Sequence, residues 1–333
     1  MNTVRLEDIA RKLNISVSTV SRALSGNGRV SKKTRETVLA AVRESDYTVN
    51  AVARSLRLRD AHNIGIIVPD IANSFCAAVI RGAQRICRQD DYTLMLCDSD
   101  ECIEYEDRAL RMLLEKQISG LILASVGGCE ELIRHYVRLN IPIVFIDNIP
   151  SYADAGDVVT IDNRAAALGL TRAMIGRGFH KLGMITGPQR QSSGMLRLQG
   201  FEQALREAGI EMQKEWVLEG DFRTESGYTR MKEILRLPDR PSGMILANNN
   251  IAYGAINALR DAGLSIPQDM AVAAFDAVDE TKLIRPLITT VNQPADEIGR
   301  QAAGLLIQRL KGTQETAHRQ VVLETSFTDG GTW

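Results

Sequence analysis

The run Ser16-Val-Ser-Thr-Val-Ser-Arg22 gathers four short hydroxyl side chains, a branched methyl pair and a guanidinium into seven residues. Hydroxyls of this length reach phosphates and base edges, a valine methyl can meet the methyl of thymine, and arginine pairs with guanine or phosphate. This is chemistry for reading a duplex. A second set is scattered along the rest of the chain, where polar or aromatic residues follow apolar runs: Asp70, Asn73 and Phe75 after Ile64–Val68, Ser125 after Leu121–Ala124, and Asp147-Asn148 after Pro142–Ile146. In the second half Phe222, Asn249 and Asp276 take corresponding places, and Arg197 lies in Arg-Leu-Gln-Gly-Phe201. A sugar or polyol needs directional donors and acceptors around its hydroxyls and an aromatic face against its C–H surface, which these residues supply. Any one of them alone serves equally well as a loop cap or a solvated surface group.

A bond-breaking set is missing from the sequence. There is no His-Glu-x-x-His, no Walker A loop and no Gly-x-Ser-x-Gly elbow, and His135 and His180 have no evident relay partner. Cys76, Cys87, Cys97, Cys102 and Cys129 are odd in number and form no Cys-x-x-Cys pair, so they read as isolated reduced thiols in a cytoplasmic protein. We expect no enzyme, no cofactor and no metal. No apolar run approaches the roughly 20 residues that cross a bilayer, and the N-terminus lacks the apolar core of a secretion signal. The formal net charge of −1 conceals a polarity: residues 1–60 hold twelve Lys/Arg against six Asp/Glu, and the remainder 28 against 35. A small basic end on an acidic body suits an anionic partner, with binding that weakens steeply as salt rises.

The elements that position the first set are short. Ile9, Ala10 and Leu13 fall at helical spacing, as do Val17, Val20 and Leu24, and Asn14-Ile15-Ser16 leaves room only for a tight corner between two helices. Ser16 can cap the second helix. The period turns Val20, Ala23 and Leu24 inward and leaves Val17, Ser18, Ser21 and Arg22 outside, a helix-turn-helix arrangement whose second helix can enter a major groove. A plain three-helix bundle with a solvated arginine fits the same pattern. Ser25-Gly-Asn-Gly28 ends that helix, and Ser31 caps a third through about Ser45, with Lys32, Lys33 and Arg35 near its start suited to the DNA backbone. Asn50–Leu58 is helix-friendly but shorter than the roughly 12–15 residues at which isolated helices become marginal, so it needs a partner surface.

Beyond Asp60 the composition changes. Near-continuous apolar strands alternate with helices: Ile64–Val68, Ser74–Gln89, Thr93–Cys97, Tyr105–Lys116, Leu121–Ala124, Glu130–Leu139 and Pro142–Ile146. A second series begins near Asp162, with strands at Leu182–Thr186, Trp216–Leu218, Gly243–Ala247 and Ala271–Phe275 between helices at Ala165–Ile175, Gly194–Ala208, Thr224–Arg236 and Ile251–Ala262. Leu287–Pro294 reads as a further strand, followed by helix Ala295–Leu310 and strand Val321–Thr325. The pattern predicts an α/β body of two parallel-sheet lobes, with ligands at the carboxyl ends of the strands and between the lobes.

Ser16-Val-Ser-Thr-Val-Ser-Arg22 resembles the signature of the lactose-repressor family of bacterial transcriptional regulators, and the resemblance extends through nearly the whole chain. It implies an all-α helix-turn-helix headpiece at 1–49, a hinge helix and linker at 50–60, and a two-lobed body at 61–333 similar to periplasmic sugar-binding proteins. The lobes would comprise about 61–160 plus 293–323 and about 162–290 plus 326–333, with crossings near Ile161, Gln293 and Phe327. It implies a homodimer on palindromic double-stranded operator DNA, contacted by Ser16, Val17, Ser18, Thr19, Ser21, Arg22 and Ser31. Paired hinge helices would enter the minor groove through Asn50, Ala53 and Leu56, with Leu56 as the apolar wedge. It also implies a small-molecule effector held by Arg197, Phe222, Asn249 and Asp276, and by Asn73, Phe75, Ser125 and Asp147. The expected function is a repressor of carbohydrate or sugar-acid utilisation genes released by an inducer, with co-repression, activation at some promoters, or a stand-alone sugar-binding protein as the alternatives.

Two departures from the family pattern bear on the ligand. Ala247-Asn-Asn-Asn250 stands where Ala-Asn-Asp is common, exchanging a carboxylate for an amide, and Asn73-Ser-Phe-Cys76 stands where Asn-Pro-Phe-Phe is common. The first could accommodate a sugar acid or a phosphorylated sugar near Arg197, and the second makes that wall of the cleft less bulky. If Leu56 opens a base step, Leu56→Gly lowers operator affinity about tenfold or more while effector affinity stays at the wild-type value. Equal operator affinity in a fluorescence-anisotropy titration would exclude the wedge.

Overall fold

The computed structural model describes residues 6–25, 30–45, 62–277, 287–313 and 317–333. Asn50, Ala53 and Leu56, and the turn after Ser25, lie outside the described residues. Residues 1–61 and 62–333 form two compact units.

In the first unit, α1 (Leu6–Lys12), α2 (Val17–Ser25) and α3 (Lys32–Glu44) surround Ile9, Ala10, Val20, Ala23, Val38 and Ala41. The corner after α1 is closed by the Ile15 N–H donating to the Ala10 carbonyl at 3.1 Å. Asn14 takes a left-handed φ of 52°, which asparagine tolerates better than most residues. Ser16 Oγ accepts from the Thr19 N–H at 3.1 Å, and Ser31 Oγ from the Thr34 N–H at 3.1 Å, so α2 and α3 each begin on a serine cap.

The second unit contains two six-stranded sheets. The first has the order β11-β5-β4-β3-β1-β2, from β1 (Asn63–Val68), β2 (Thr93–Asp98), β3 (Gly120–Leu123), β4 (Ile143–Ile146), β5 (Asp157–Ile161) and β11 (Gln320–Leu323), all parallel. The second has the order β12-β10-β9-β8-β6-β7, from β6 (Leu182–Thr186), β7 (Val217–Glu219), β8 (Gly243–Leu246), β9 (Ala271–Phe275), β10 (Thr289–Asn292) and β12 (Ser326–Thr328). Only β12 is antiparallel to its neighbour. The chain changes sheet after Ile161, after Asn292 and after Leu323, the last crossing falling just ahead of Phe327, which pairs within β12.

Strand pleating explains the layers. Ile64, Ile66 and Val68 face α4 (Ser74–Gln89) and α11 (Ala295–Leu310), whereas Ile67 faces α5 (Ile103–Glu115) and α6 (Glu130–Arg138). The pair α4–α11 touches backbone to backbone: a Cβ added at Gly299 would lie 1.9 Å from the Val79 carbonyl oxygen. In the second lobe α7 (Asn163–Gly176), α8 (Ser192–Glu207), α9 (Thr224–Leu235) and α10 (Asn249–Asp261) enclose a core that includes Phe201, Met231, Ile251 and Phe275. Among the described residues no helix is long and apolar enough to cross a membrane.

Strand β5 is missing from the sequence expectations because it opens on a charge. Asp157 is fully buried and receives Arg309 Nε and Nη2 at 2.5 and 2.6 Å together with the Arg319 N–H at 2.7 Å. Removing one partner of a buried pair strands the other. We therefore expect Arg309→Met to lower unfolding free energy by about 3 kcal/mol, and Arg309→Met with Asp157→Asn to recover part of it. Urea unfolding checks this, and a single-mutant loss below about 1 kcal/mol would make the pair energetically minor.

Candidate functional site

On the headpiece, Val17 is 42% exposed while Val20 and Ala23 are buried, so the face of α2 that meets solvent carries Val17, Ser18 and Arg22, with Thr19 and Ser21 half-buried beside it. Ser16 Oγ is committed to the cap and to Ser18 Oγ and Thr19 Oγ1, both at 2.8 Å. Ser31 likewise spends its oxygen on the start of α3.

In the body, the carboxyl ends of the strands and the starts of the following helices converge on one cleft. A cavity of about 40 Å³ is lined by Asn73, Phe75, Asp147, Arg197, Phe222, Asn249 and Asp276, with Pro69, Cys76, Glu101, Gln191, Ser193, Asn248 and Gln293. Seven of the eight residues expected around an effector are thus brought together. The eighth, Ser125, is not. It follows β3 as expected, but it is buried and its hydroxyl donates to Glu106 at 2.9 Å and pairs with Tyr152 at 3.1 Å. Glu106 also accepts from the Val126 N–H at 2.6 Å, and the loop after β3 is tied to that carboxylate instead of opening to the cleft.

Backbone geometry aims several of the lining side chains. Asp147 (φ 60°), Phe222 (φ 66°), Asp276 (φ 56°) and Glu101 (φ 52°) are all left-handed, a conformation costing roughly 1–2 kcal/mol in a residue with a Cβ. Such outliers cluster where structure is shaped for binding. Asp147 and Asp276 occupy equivalent places in the two lobes, after β4 and after β9, and their N–H groups donate to Val159 and Val291 of the neighbouring strands. The Phe222 ring is pressed onto Gly187, where any Cβ would fall 2.0 Å from Cζ.

Arg197 is 2% exposed. Its Nε donates to Asn163 Oδ1 at 2.8 Å, Nη1 donates to the Ala247 carbonyl, and the guanidinium carbon lies 4.2 Å from the centre of the Phe275 ring. Burial pushes the Asp147 carboxyl up to about 6, with Arg197 pulling it down and Asp276 raising it. Asp276 is also raised by burial, against Arg197 and the two bonds it accepts from the Gln293 N–H (2.8 Å) and Nε2 (2.7 Å). Three buried side-chain atoms of lining residues have no protein partner: Asp147 Oδ1, Ser193 Oγ and Gln293 Oε1. An uncompensated buried polar atom costs about 1–3 kcal/mol, so these three mark places for ligand or water atoms.

The lobes meet around the cavity. Asn73 and Asn249 exchange amide hydrogen bonds, 3.0 Å each way, and Asn250 Nδ2 donates to Asp70 at 3.1 Å. On the other side Gln191 Nε2 donates to Glu101 at 2.8 Å, and Arg223 pairs with Asp100 at 3.0 Å. Gln191, Ser193 and Glu101 were not singled out from sequence, because nothing local marks a loop residue as facing a partner nearly a hundred positions away. Among the described residues no cluster of His, Cys, Asp and Glu could hold a metal ion.

Comparison with known proteins places two families on the chain: bacterial regulatory proteins of the lacI family over residues 5–50, and periplasmic binding proteins and sugar binding domain of LacI family over 61–328. The HTH-type transcriptional repressor PurR of Proteus mirabilis is 33% identical over 336 residues, spanning 98% of this chain and 97% of that protein. Among solved structures, a transcriptional regulator CelR–cellobiose complex aligns with a TM-score of 0.75 at 28% identity over 99% of this chain and 100% of its own. A LacI family transcriptional regulator from Enterococcus faecium with bound ribose gives 0.72 at 26% identity, over 81% of this chain and 98% of its own.

Glu101 supplies a test of the cleft electrostatics. Burial pushes its carboxyl up to about 7, the bond from Gln191 opposing, Asp147 adding, and Arg190 and Arg223 opposing. The folded value exceeds that of the unfolded chain, so the carboxyl favours folding below about pH 4 and this contribution is lost as pH rises through 7. Glu101→Gln keeps an oxygen for Gln191 and removes the charge. It should be more stable than wild type by about 2 kcal/mol at pH 8, with no difference at pH 4, in urea titrations at the two pH values. A gain that persists at low pH would refute the assignment.

Proposed function

The chain belongs to the LacI family of bacterial transcriptional regulators, and from that membership we propose that it is a repressor of carbohydrate-utilisation genes, released when a neutral polyhydroxylated effector occupies the interlobe cleft. As a member of the family it is a ligand-responsive DNA-binding regulator and not an enzyme. What supports the finer reading is the set of unpartnered oxygens on Asp147, Ser193 and Gln293 around one cavity. Asp147 and Gln293 offer acceptors, the hydroxyl of Ser193 offers either sense, and adjacent hydroxyls of a sugar satisfy all three at once. Phe75 and Phe222 flank them and suit the C–H face of a ring.

Charge argues against the sugar acid or phosphorylated sugar suggested by the departures in sequence. Asp147, Asp276 and Glu101 line the cavity with Arg197, whose Nε and Nη1 are already committed within its own lobe. An anion entering there faces three carboxyls against one guanidinium, and it opposes each carboxyl that ionises, Asp147 through about 6 and Glu101 through about 7. A cavity of about 40 Å³ is too small for a sugar, so the lobes must separate for the effector to enter. The similar regulators solved with cellobiose and with ribose are consistent with a carbohydrate in this cleft. Repression as the sign of control is supported by the similar protein being a transcriptional repressor. Inducer and operator must then weaken one another by the same factor.

Calorimetric screening of the full chain against neutral sugars, sugar acids, sugar phosphates and nucleobases tests the reading. A neutral sugar should bind most tightly and lower operator affinity, and Arg197→Ala should weaken that sugar about tenfold or more while retaining specific operator binding. Tighter binding of an acid, phosphate or nucleobase would overturn the ligand class. Full effector affinity in Arg197→Ala would overturn the site.

A further inference from the structure

We propose that Asn148, in the first lobe, is a positioning residue for the cleft: it caps α8 from the opposite lobe and completes the start of the helix that carries Arg197 only when the lobes are closed. This rests on reading the cleft as the effector site.

A helix begins with N–H groups that have no partner within it, and a side chain at the N-cap usually accepts from one of them. Three helices that start near the cleft follow this rule within their own lobe. Asn73 accepts from the Phe75 N–H, Asp162 from the Ala165 N–H and Asn248 from the Ile251 N–H. Helix α8 breaks it. Its N-cap residue, Gln191, makes no side-chain bond to the helix. The Ser193 N–H donates instead to Asn148 Oδ1, across the cleft, at 3.1 Å. The same amide donates through Nδ2 to Gln191 Oε1 at 3.0 Å, so both of its ends are used on α8. The next residue repeats the arrangement in reverse, with the Ile149 N–H donating to Ser192 Oγ at 2.7 Å.

The capped turn is the one that matters for the cleft. Ser193 and Arg197 are four residues apart and share one face of α8, and both line the cavity. Asn148 itself is 4% exposed and stands directly beside Asp147, which carries one of the unpartnered oxygens. Separation of the lobes removes the acceptor from Ser193 and the partner from Gln191 together, so the first turn of α8 is complete in one state and open to water in the other. Closure and the placement of Arg197 are then a single event.

Hydrogen exchange on the full chain without effector tests this. Asn148→Ala should speed exchange at the Ser193 amide roughly fivefold or more, leaving amides in the last turns of α8 at wild-type rates. Asn148→Asp keeps the acceptor at a helix start and loses only the donor, so it should restore most of the protection at Ser193. A general loss of stability would not be rescued at one amide by a charged substitution. Wild-type exchange at Ser193 in folded Asn148→Ala would overturn the proposal, as would Asn148→Asp exchanging as fast as Asn148→Ala. Should Asn148→Ala not fold, Ser192→Ala carries the test through the reciprocal bond: faster exchange at the Ile149 amide supports cross-lobe pairing and an unchanged rate overturns it. The readout needs no effector, so a failure of the effector reading, seen as full affinity in Arg197→Ala, leaves this result independent.

Discussion

A polar group withdrawn from water must find a partner, and in this body many of the partners are on the other lobe. Parallel strands send their carboxyl ends, and the helices their amino ends, toward one side of each sheet. The facing surfaces of the cleft are therefore rich in unmatched N–H and C=O groups and in the short polar side chains that serve them. Asn73 with Asn249, Asp70 with Asn250, Asn148 with Gln191 and Ser193, and Glu101 with Gln191 satisfy one another across the gap. Each such bond replaces bonds to water and yields a net of only about 0.5–1.5 kcal/mol. A seam of this kind closes and opens at small cost, which a seam of buried leucines would not allow.

The same constraint accounts for the amide at position 249. In sequence the loss of a carboxylate there reads as a change in the ligand's charge. In the structure Asn249 both donates to and accepts from Asn73, an exchange that a carboxylate cannot make because it has no N–H to give. The substitution belongs at least as much to the closing of the lobes as to what lies between them. The cavity keeps three carboxyls, on Asp147, Asp276 and Glu101.

Much of the architecture was legible because its elements carry their own signals. Strands such as Ile64–Val68 are unbroken apolar runs, and helices such as Ser74–Gln89 keep their apolar residues on one face. Strand β5 was not legible, since Asp157 at its start is buried against Arg309 and Arg319, more than 150 positions later. Strand β12 is short and its Phe327 is half exposed, so no burial pattern announces it. Six cleft residues sit where a rule of topology puts ligands, at strand ends, whereas Arg197 lies inside a helix and was reached through the family resemblance. Ser125 obeys the rule in position and escapes it in orientation. The signal that would have caught it is Glu106, spaced with Ala109, Leu110 and Leu113 on the buried face of α5, where a carboxylate must collect donors from a neighbouring loop. Asn148 was visible only as the neighbour of Asp147, because its partner belongs to a helix of the other lobe.

Each lobe has an apolar core, and helix pairs such as α4 and α11 approach until their backbones touch at Gly299. Such cores do not deform gradually, so relative motion is concentrated in the polar seam and in the three segments where the chain changes sheet. A ligand-responsive switch depends on two discrete arrangements of such units. A ligand moves such an equilibrium only by as much as it prefers one arrangement to the other. Asp147 belongs to the first lobe, Ser193 to the second, and Gln293 stands where the chain passes between them. A molecule bonded to all three gains the full set only with the lobes together, and its preference for that state grows with each bond that spans the gap. Hydroxyls confined to one wall of the cleft would bind and change nothing.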